Sequence, residues 1–113
     1  MEIEIELYKT RTGQCPFNVW FDSLREVHTR AKILTRLDRL KLGNFGDCKG
    51  LRDGIAELRL DYGPGFRIYY SKIGNKVVLL LCAGVKGSQI KDINNAKKYL
   101  KEYHSREEKY GTK

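Results

Sequence analysis

The sequence predicts an α+β fold in the order β-α-α-β-β-β-α, and three observations carry that expectation. Two segments alternate apolar and charged residues on either side of Gly63-Pro64-Gly65. An unbroken apolar run from Val77 to Ala83 follows a second turn signal, Gly74-Asn75. Three other segments repeat apolar residues at helical spacing, the first of them at i, i+3, i+4 and i+7. Period two means strand and period 3.6 means helix. At 113 residues the chain can bury one core against one sheet. Residues 1–104 are expected to form a single domain, and residues 105–113 a flexible C-terminal tail.

Glu2 to Tyr8 alternates cleanly, so Ile3, Ile5 and Leu7 face a core while the glutamates face water. Pro16 suits the first turn of a helix, and Phe17, Trp20, Phe21 and Leu24 follow on one stripe. After a break at Glu26 to His28, a second helix runs through Leu42. Its apolar face is Ile33, Leu34, Leu37 and Leu40, and Arg30, Lys32, Arg36, Arg39 and Lys41 fill its outer side. The two helices form a helical hairpin whose stripes cover the apolar face of the sheet. The glycine-rich stretch from Gly43 to Gly50 reads as a loop.

Ile55 to Tyr70 is the stretch on which the chain is organised. Ala56, Leu58, Leu60 and Tyr62 share one parity with Phe66, Ile68 and Tyr70 across the Gly-Pro-Gly turn. Glu57, Arg59 and Asp61 take the other parity, as do Arg67, Tyr69 and Ser71. With Gly74 and Asn75 as a two-residue turn, Ile73 pairs with Lys76 and Arg67 lies opposite Cys82. Parity then continues through Gly84 to Lys86, on the side of Arg67 and Tyr69. Val77 to Ala83 is apolar on both parities and should be covered on both faces. Ser88 is a candidate N-cap for the last helix, with Ile90, Ile93, Ala96, Leu100 and Tyr103 as its packing stripe.

Arg59, Arg67 and Lys86 therefore converge on one face from three separate segments. Arginine presents a planar fork of donors that fits phosphate oxygens and stays charged at any working pH. The same face holds Glu57 and Asp61, so pairing of opposite charges across strands accounts for these residue types as well.

The formal charge is +8, and it is unevenly spread. Residues 1–62 hold 11 Lys and Arg against 10 Asp and Glu, whereas residues 63–113 hold 11 against 4. A basic C-terminal half attracts a polyanion, either nucleic acid or an acidic protein. Nothing approaches a membrane span or a basic-then-apolar leader, which points to the cytoplasm. Cys15, Cys48 and Cys82 lack metal-ligand spacing and read as reduced, mostly buried thiols, with no metal and no cofactor expected.

The sequence resembles the RelE/ParE toxin superfamily, and within it the HigB-like, phage-associated addiction-module killer proteins. The resemblance rests on Glu57-Leu58-Arg59, on Gly63-Pro64-Gly65-Phe66-Arg67-Ile68-Tyr69-Tyr70, on Leu80-Leu81-Cys82-Ala83-Gly84-Val85-Lys86, and on Gln89 with Asp92-Ile93 and Ala96. It spans roughly residues 3 to 103. It implies a small, mostly antiparallel twisted sheet with a helical hairpin on one face and a C-terminal helix. It also implies the toxin of a bacterial type II toxin–antitoxin pair, a ribosome-dependent endoribonuclease that cuts messenger RNA. A cognate antitoxin with a helix-turn-helix is the implied partner, beside the ribosome and its message. Carried over by position, Arg59, Arg67 and Lys86 would bind the scissile phosphate. Two alternatives are a ParE-like inhibitor of DNA gyrase, which needs no phosphate site, and a basic binding module that has lost catalysis.

Cleavage by RNA's own 2′-hydroxyl needs removal of its proton, stabilisation of a phosphorane and protonation of the leaving 5′-oxygen. Fixed cations serve the middle step. The acid and base candidates are Glu57, Tyr69, Tyr103 and His104, with Lys86 as a further proton carrier.

Overall fold

Five strands form one mixed sheet in this structure, a computed structural model that describes residues 2–110. They are β1 (Glu4–Leu7), β2 (Cys48–Gly50), β3 (Ala56–Leu60), β4 (Phe66–Ile73) and β5 (Val77–Val85), in the spatial order β1-β5-β4-β3-β2. The helices are α1 (Pro16–Ser23), α2 (Val27–Lys41) and α3 (Gln89–Tyr110), and a 3-10 turn over Lys86–Ser88 leads into the last. β1 joins the edge parallel to β5, and the other pairs are antiparallel. The α+β class is as the sequence predicts. The strand count is not, because Cys48 to Gly50 pairs with Leu58 to Ala56 and extends the sheet. Short, glycine-bounded and wholly exposed, β2 has no alternation by which to be read.

Each face of the sheet buries its own core. Phe17 of α1 and Ile33, Leu37 and Leu40 of α2 pack with Leu58, Leu60, Ile68, Tyr70, Val78 and Leu80. Ala96 and Leu100 of α3 pack with Ile55, Tyr69, Leu79, Leu81 and Cys82 on the reverse face. β5 is thus covered on both sides, which is why its sequence shows no polar parity. Burial of each Val, Leu, Ile or Phe side chain among them stabilises the fold by about 1.5–3 kcal/mol.

Three expected contacts are corrected. Leu34 is half exposed and Ile90 is 81% exposed, so neither belongs to its helix's packing stripe. Arg36 is no solvated outer residue: its guanidinium donates to the carbonyls of Arg59 at 2.5 Å, Asp47 at 2.8 Å and Phe45 at 3.2 Å. That clamp ties α2 to the β3 edge, and Gly46 leaves room for it, since a Cβ there would lie 3.0 Å from the guanidinium. Cys15 and Cys82 are buried as expected, but Cys48 is exposed.

The register of the β4–β5 hairpin also differs. Ile73 pairs with Val77, so three residues rather than two form the turn, and a bulge between Tyr69 and Tyr70 leaves Leu81 unpaired. Arg67 consequently lies opposite Gly84, two positions beyond the expected Cys82. A shift of two preserves parity. Cys82 and Gly84 therefore fall on the expected side, while the strand before the bulge has its faces exchanged, with Leu79 and Leu81 under α3.

The expected tail is largely helix, since α3 continues through Tyr110. Arg106 donates to the Lys9 carbonyl at 2.7 Å and pairs with Glu102. Glu102 also accepts from the Tyr8 hydroxyl at 2.6 Å and from Arg11 Nε at 3.1 Å. Those donors hold its carboxyl at a pKa of about 2. Residues 111–113 lie outside the described residues. Among the described residues, no helix is long and apolar enough to cross a membrane.

α3 comes down on β5 at Gly84, where the Asp92 carboxylate and Ser88 Oγ, 2.5 Å apart, occupy the space of a side chain. A Cβ on Gly84 would stand 1.9 Å from Asp92 Oδ2. Gly84→Ala is expected to lose about 1–3 kcal/mol by overpacking. In urea unfolding, Asp92→Ala in the same chain should recover part of that loss; purely additive effects would contradict the contact.

Candidate functional site

β3 and β4 set Glu57 opposite Tyr69 and Arg59 opposite Arg67. The alternating pleat then points all four side chains to the α3 side of the sheet. This face is not the open charged wall that alternation alone suggests. Glu57 is 3% exposed and Tyr69 not at all, with Gln89 and Asp92 of α3 beside them, and Arg67 is 6% exposed next to the Gly65 turn. Arg59 keeps 31% of its side chain in water.

Like charges directly opposite one another on adjacent strands repel. Two carboxylates offset part of that repulsion. Arg59 Nε donates to Glu57 Oε1 at 3.2 Å, within its own strand. Arg67 Nη1 donates to the Phe66 carbonyl at 3.0 Å and lies 3.9 Å from Asp61 Oδ1. Asp61 is 82% exposed, so that pair is weak. The charge pairing that the residue types allow is thus partly realised, along β3 and across the turn. It leaves buried Arg67 Nε with no hydrogen-bond partner among the described residues.

Lys86 reaches the same place from β5. Its backbone N–H donates to the Gly65 carbonyl at 2.9 Å, just past the end of the strand. Gly63 and Gly65 both hold positive φ, 57° and 85°, which the turn requires and L side chains resist. A Cβ on Gly65 would lie 3.3 Å from Lys86 Cβ and 3.8 Å from Arg67 Nη1. Arg59, Arg67 and Lys86 accordingly gather around the Gly-Pro-Gly turn, and the Lys86 side chain is exposed.

Glu57 is fully committed to its neighbours. Gln89, the first residue of α3, donates Nε2 to Glu57 Oε2 at 2.8 Å, while Arg59 occupies Oε1. That contact uses Nε and leaves both terminal nitrogens of Arg59 without a protein acceptor among the described residues. Gln89 is the residue that sequence reasoning did not place in the site. Its signal beyond the family resemblance is a polar side chain at the start of a helix that packs on a strand carrying a carboxylate.

The acid and base candidates separate. Tyr69 lies under α3, and burial, then the nearby charges of Glu57 and Asp92, push its pKa well above the usual phenol range. It remains protonated at any working pH, and its hydroxyl lies near the Glu57 carboxylate but makes no well-formed hydrogen bond among the described residues. Tyr103 and His104 are fourteen and fifteen residues beyond Gln89. At about 1.5 Å rise per residue, that is roughly 21–23 Å along the helix axis. Tyr103 packs into the α3-side core, and His104 sits beside Asp53 and Ser105 at the opposite end. The structure therefore does not bring either one to the arginines.

No family model matches the chain. An uncharacterized protein of Haemophilus influenzae is 47% identical over 81 residues, which cover 72% of this chain and 82% of the relative.

A buried hydroxyl without a partner contributes desolvation cost and no bond. Tyr69→Phe is therefore expected to keep or raise the thermal midpoint and to leave activity unchanged. A marked loss of activity with the fold intact would contradict this placement of Tyr69.

Proposed function

The chain belongs to the same family as that Haemophilus influenzae protein. From the residue resemblance and the geometry of the basic face, we propose that it is the toxin of a bacterial type II toxin–antitoxin system. Its activity is that of a cytoplasmic endoribonuclease that cuts messenger RNA on the ribosome, on a RelE-like arrangement of the α+β fold. One observation carries the reading: Arg59 and Arg67 oppose each other in register, with Lys86 beside them across Gly65. A like-charge pair of this kind is relieved by an anion between or above its members, and a phosphodiester is the anion that suits paired guanidinium forks.

In the proposed reaction the 2′-hydroxyl gives up its proton to solvent water as its oxygen attacks the adjacent phosphorus, and the bond to the 5′-oxygen breaks as that oxygen takes up a proton, leaving a cyclic phosphate and a free 5′-hydroxyl. Arg59 and Arg67 stabilise the doubly charged phosphorane, with donors aimed where charge develops. Lys86, exposed at the rim, is the group best placed to meet the leaving oxygen. Glu57 acts as a positioning residue, because both of its oxygens are already engaged. Such a site supplies charge more than proton transfer. Alignment of the message by the ribosome supplies the remainder, since a near-attack geometry is itself worth several orders of magnitude. The cognate antitoxin would oppose the basic half with acidic residues and carry a helix-turn-helix for its own regulation.

The test is to induce the chain alone in bacteria and map new RNA 5′ ends, beside Arg67→Ala and the more exposed Arg59→Ala. Growth arrest with cuts confined to translated frames is expected, falling by roughly 10²–10³-fold in rate for either variant. Arrest without new RNA ends, insensitive to both substitutions, would overturn the reading in favour of gyrase inhibition. No arrest from the intact chain would favour a binding module without catalysis.

A further inference from the structure

Beyond the arginine pair, the surface continues onto α3 as an open groove of about 850 Å³. Lys86, Gln89, Lys91, Asn94, Asn95 and Lys98 line it, and no carboxylate does. Lys91, Asn94 and Lys98 recur at i, i+3 and i+7, so they share one side of the helix over about 10 Å. Asp92, the only acid in the first turns, is turned inward onto Gly84. None of Lys86, Lys91 and Lys98 forms an ion pair among the described residues, whereas Lys97, outside the groove, pairs with Asp53 at 3.3 Å.

From this we infer that the exposed side of α3 is a second binding surface, a track for the single-stranded RNA that flanks the scissile phosphate. The inference rests on the endoribonuclease reading and deepens it. Continuity is the first argument: Gln89 lines the groove and also holds the carboxylate that orients Arg59, so the track starts where the proposed cleavage site ends. Chemistry is the second. Lysines meet phosphates as point charges, while the amides of Asn94 and Asn95 offer donors and acceptors that unpaired base edges need and an acidic peptide does not. Ile90, 81% exposed between Gln89 and Lys91, supplies an apolar ledge on which a base can rest.

Binding of a fully 2′-O-methylated single-stranded RNA, which has no hydroxyl to attack, is measured by fluorescence anisotropy over a range of salt. Each lost phosphate contact on a single strand lowers the log–log salt slope by about 0.7. Lys91→Ala with Lys98→Ala should therefore lower it by about 1.4, and Lys41→Ala, on the opposite side of the sheet, should leave it unchanged. An unaltered slope in the double variant would overturn the track. So would binding of poly-glutamate but not RNA, which would assign the groove to an acidic protein. Failure of the endoribonuclease reading appears separately, as intact messages in induced cells.

Discussion

Glu57 carries its charge out of water, and the arrangement of the site follows from what that costs. A buried carboxylate destabilises a fold unless its oxygens are hydrogen bonded and its charge is met. Arg59 meets the charge from two residues along the same strand, and Gln89 meets the second oxygen from the start of α3. The carboxylate therefore joins strand to helix at the point where the basic residues gather. It also engages Arg59 through Nε, which leaves the terminal nitrogens without a protein acceptor among the described residues. Removing either partner leaves an under-satisfied buried ion, so helix docking and guanidinium orientation are coupled through one group.

The close approach of α3 depends on the opposite property, the absence of a side chain. Gly84 lets Asp92 and Ser88 settle on β5, and Gly65 lets Lys86 and Arg67 approach one another across the turn. Two glycines and one carboxylate thus fix where three cations sit. Electrostatic stabilisation by preorganised donors requires this kind of fixing, since donors that must first reorganise lose their advantage. The cost is the repulsion between Arg59 and Arg67, which Glu57 and Asp61 reduce without cancelling.

Much of this was legible in the residues. Alternation placed Arg59, Arg67 and Tyr69 on one side of the sheet, and helical periodicity found Ala96 and Leu100 as the contacts of α3. What alternation cannot give is what lies above a face: a charged strand facing solvent and one roofed by a polar-edged helix have the same pattern. Glu57 therefore reads as a surface residue until the helix is seen over it. The register was legible only in parity, because the three-residue turn and the bulge each add one residue and their sum restores the side while moving the partner from Cys82 to Gly84. Arg36 and β2 escaped notice for a related reason, since backbone carbonyls and short edge pairing leave no trace in residue type.

The central claim is that Arg59 and Arg67 share one anion. Arginine side-chain Nε–H resonances can be followed by NMR during titration with a 2′-O-methylated RNA trinucleotide. The account expects the Arg59 and Arg67 signals to shift together along a single saturation curve. Binding that moves only lysine signals, with both arginine resonances fixed, would contradict it and leave the pair as a structural element of the sheet.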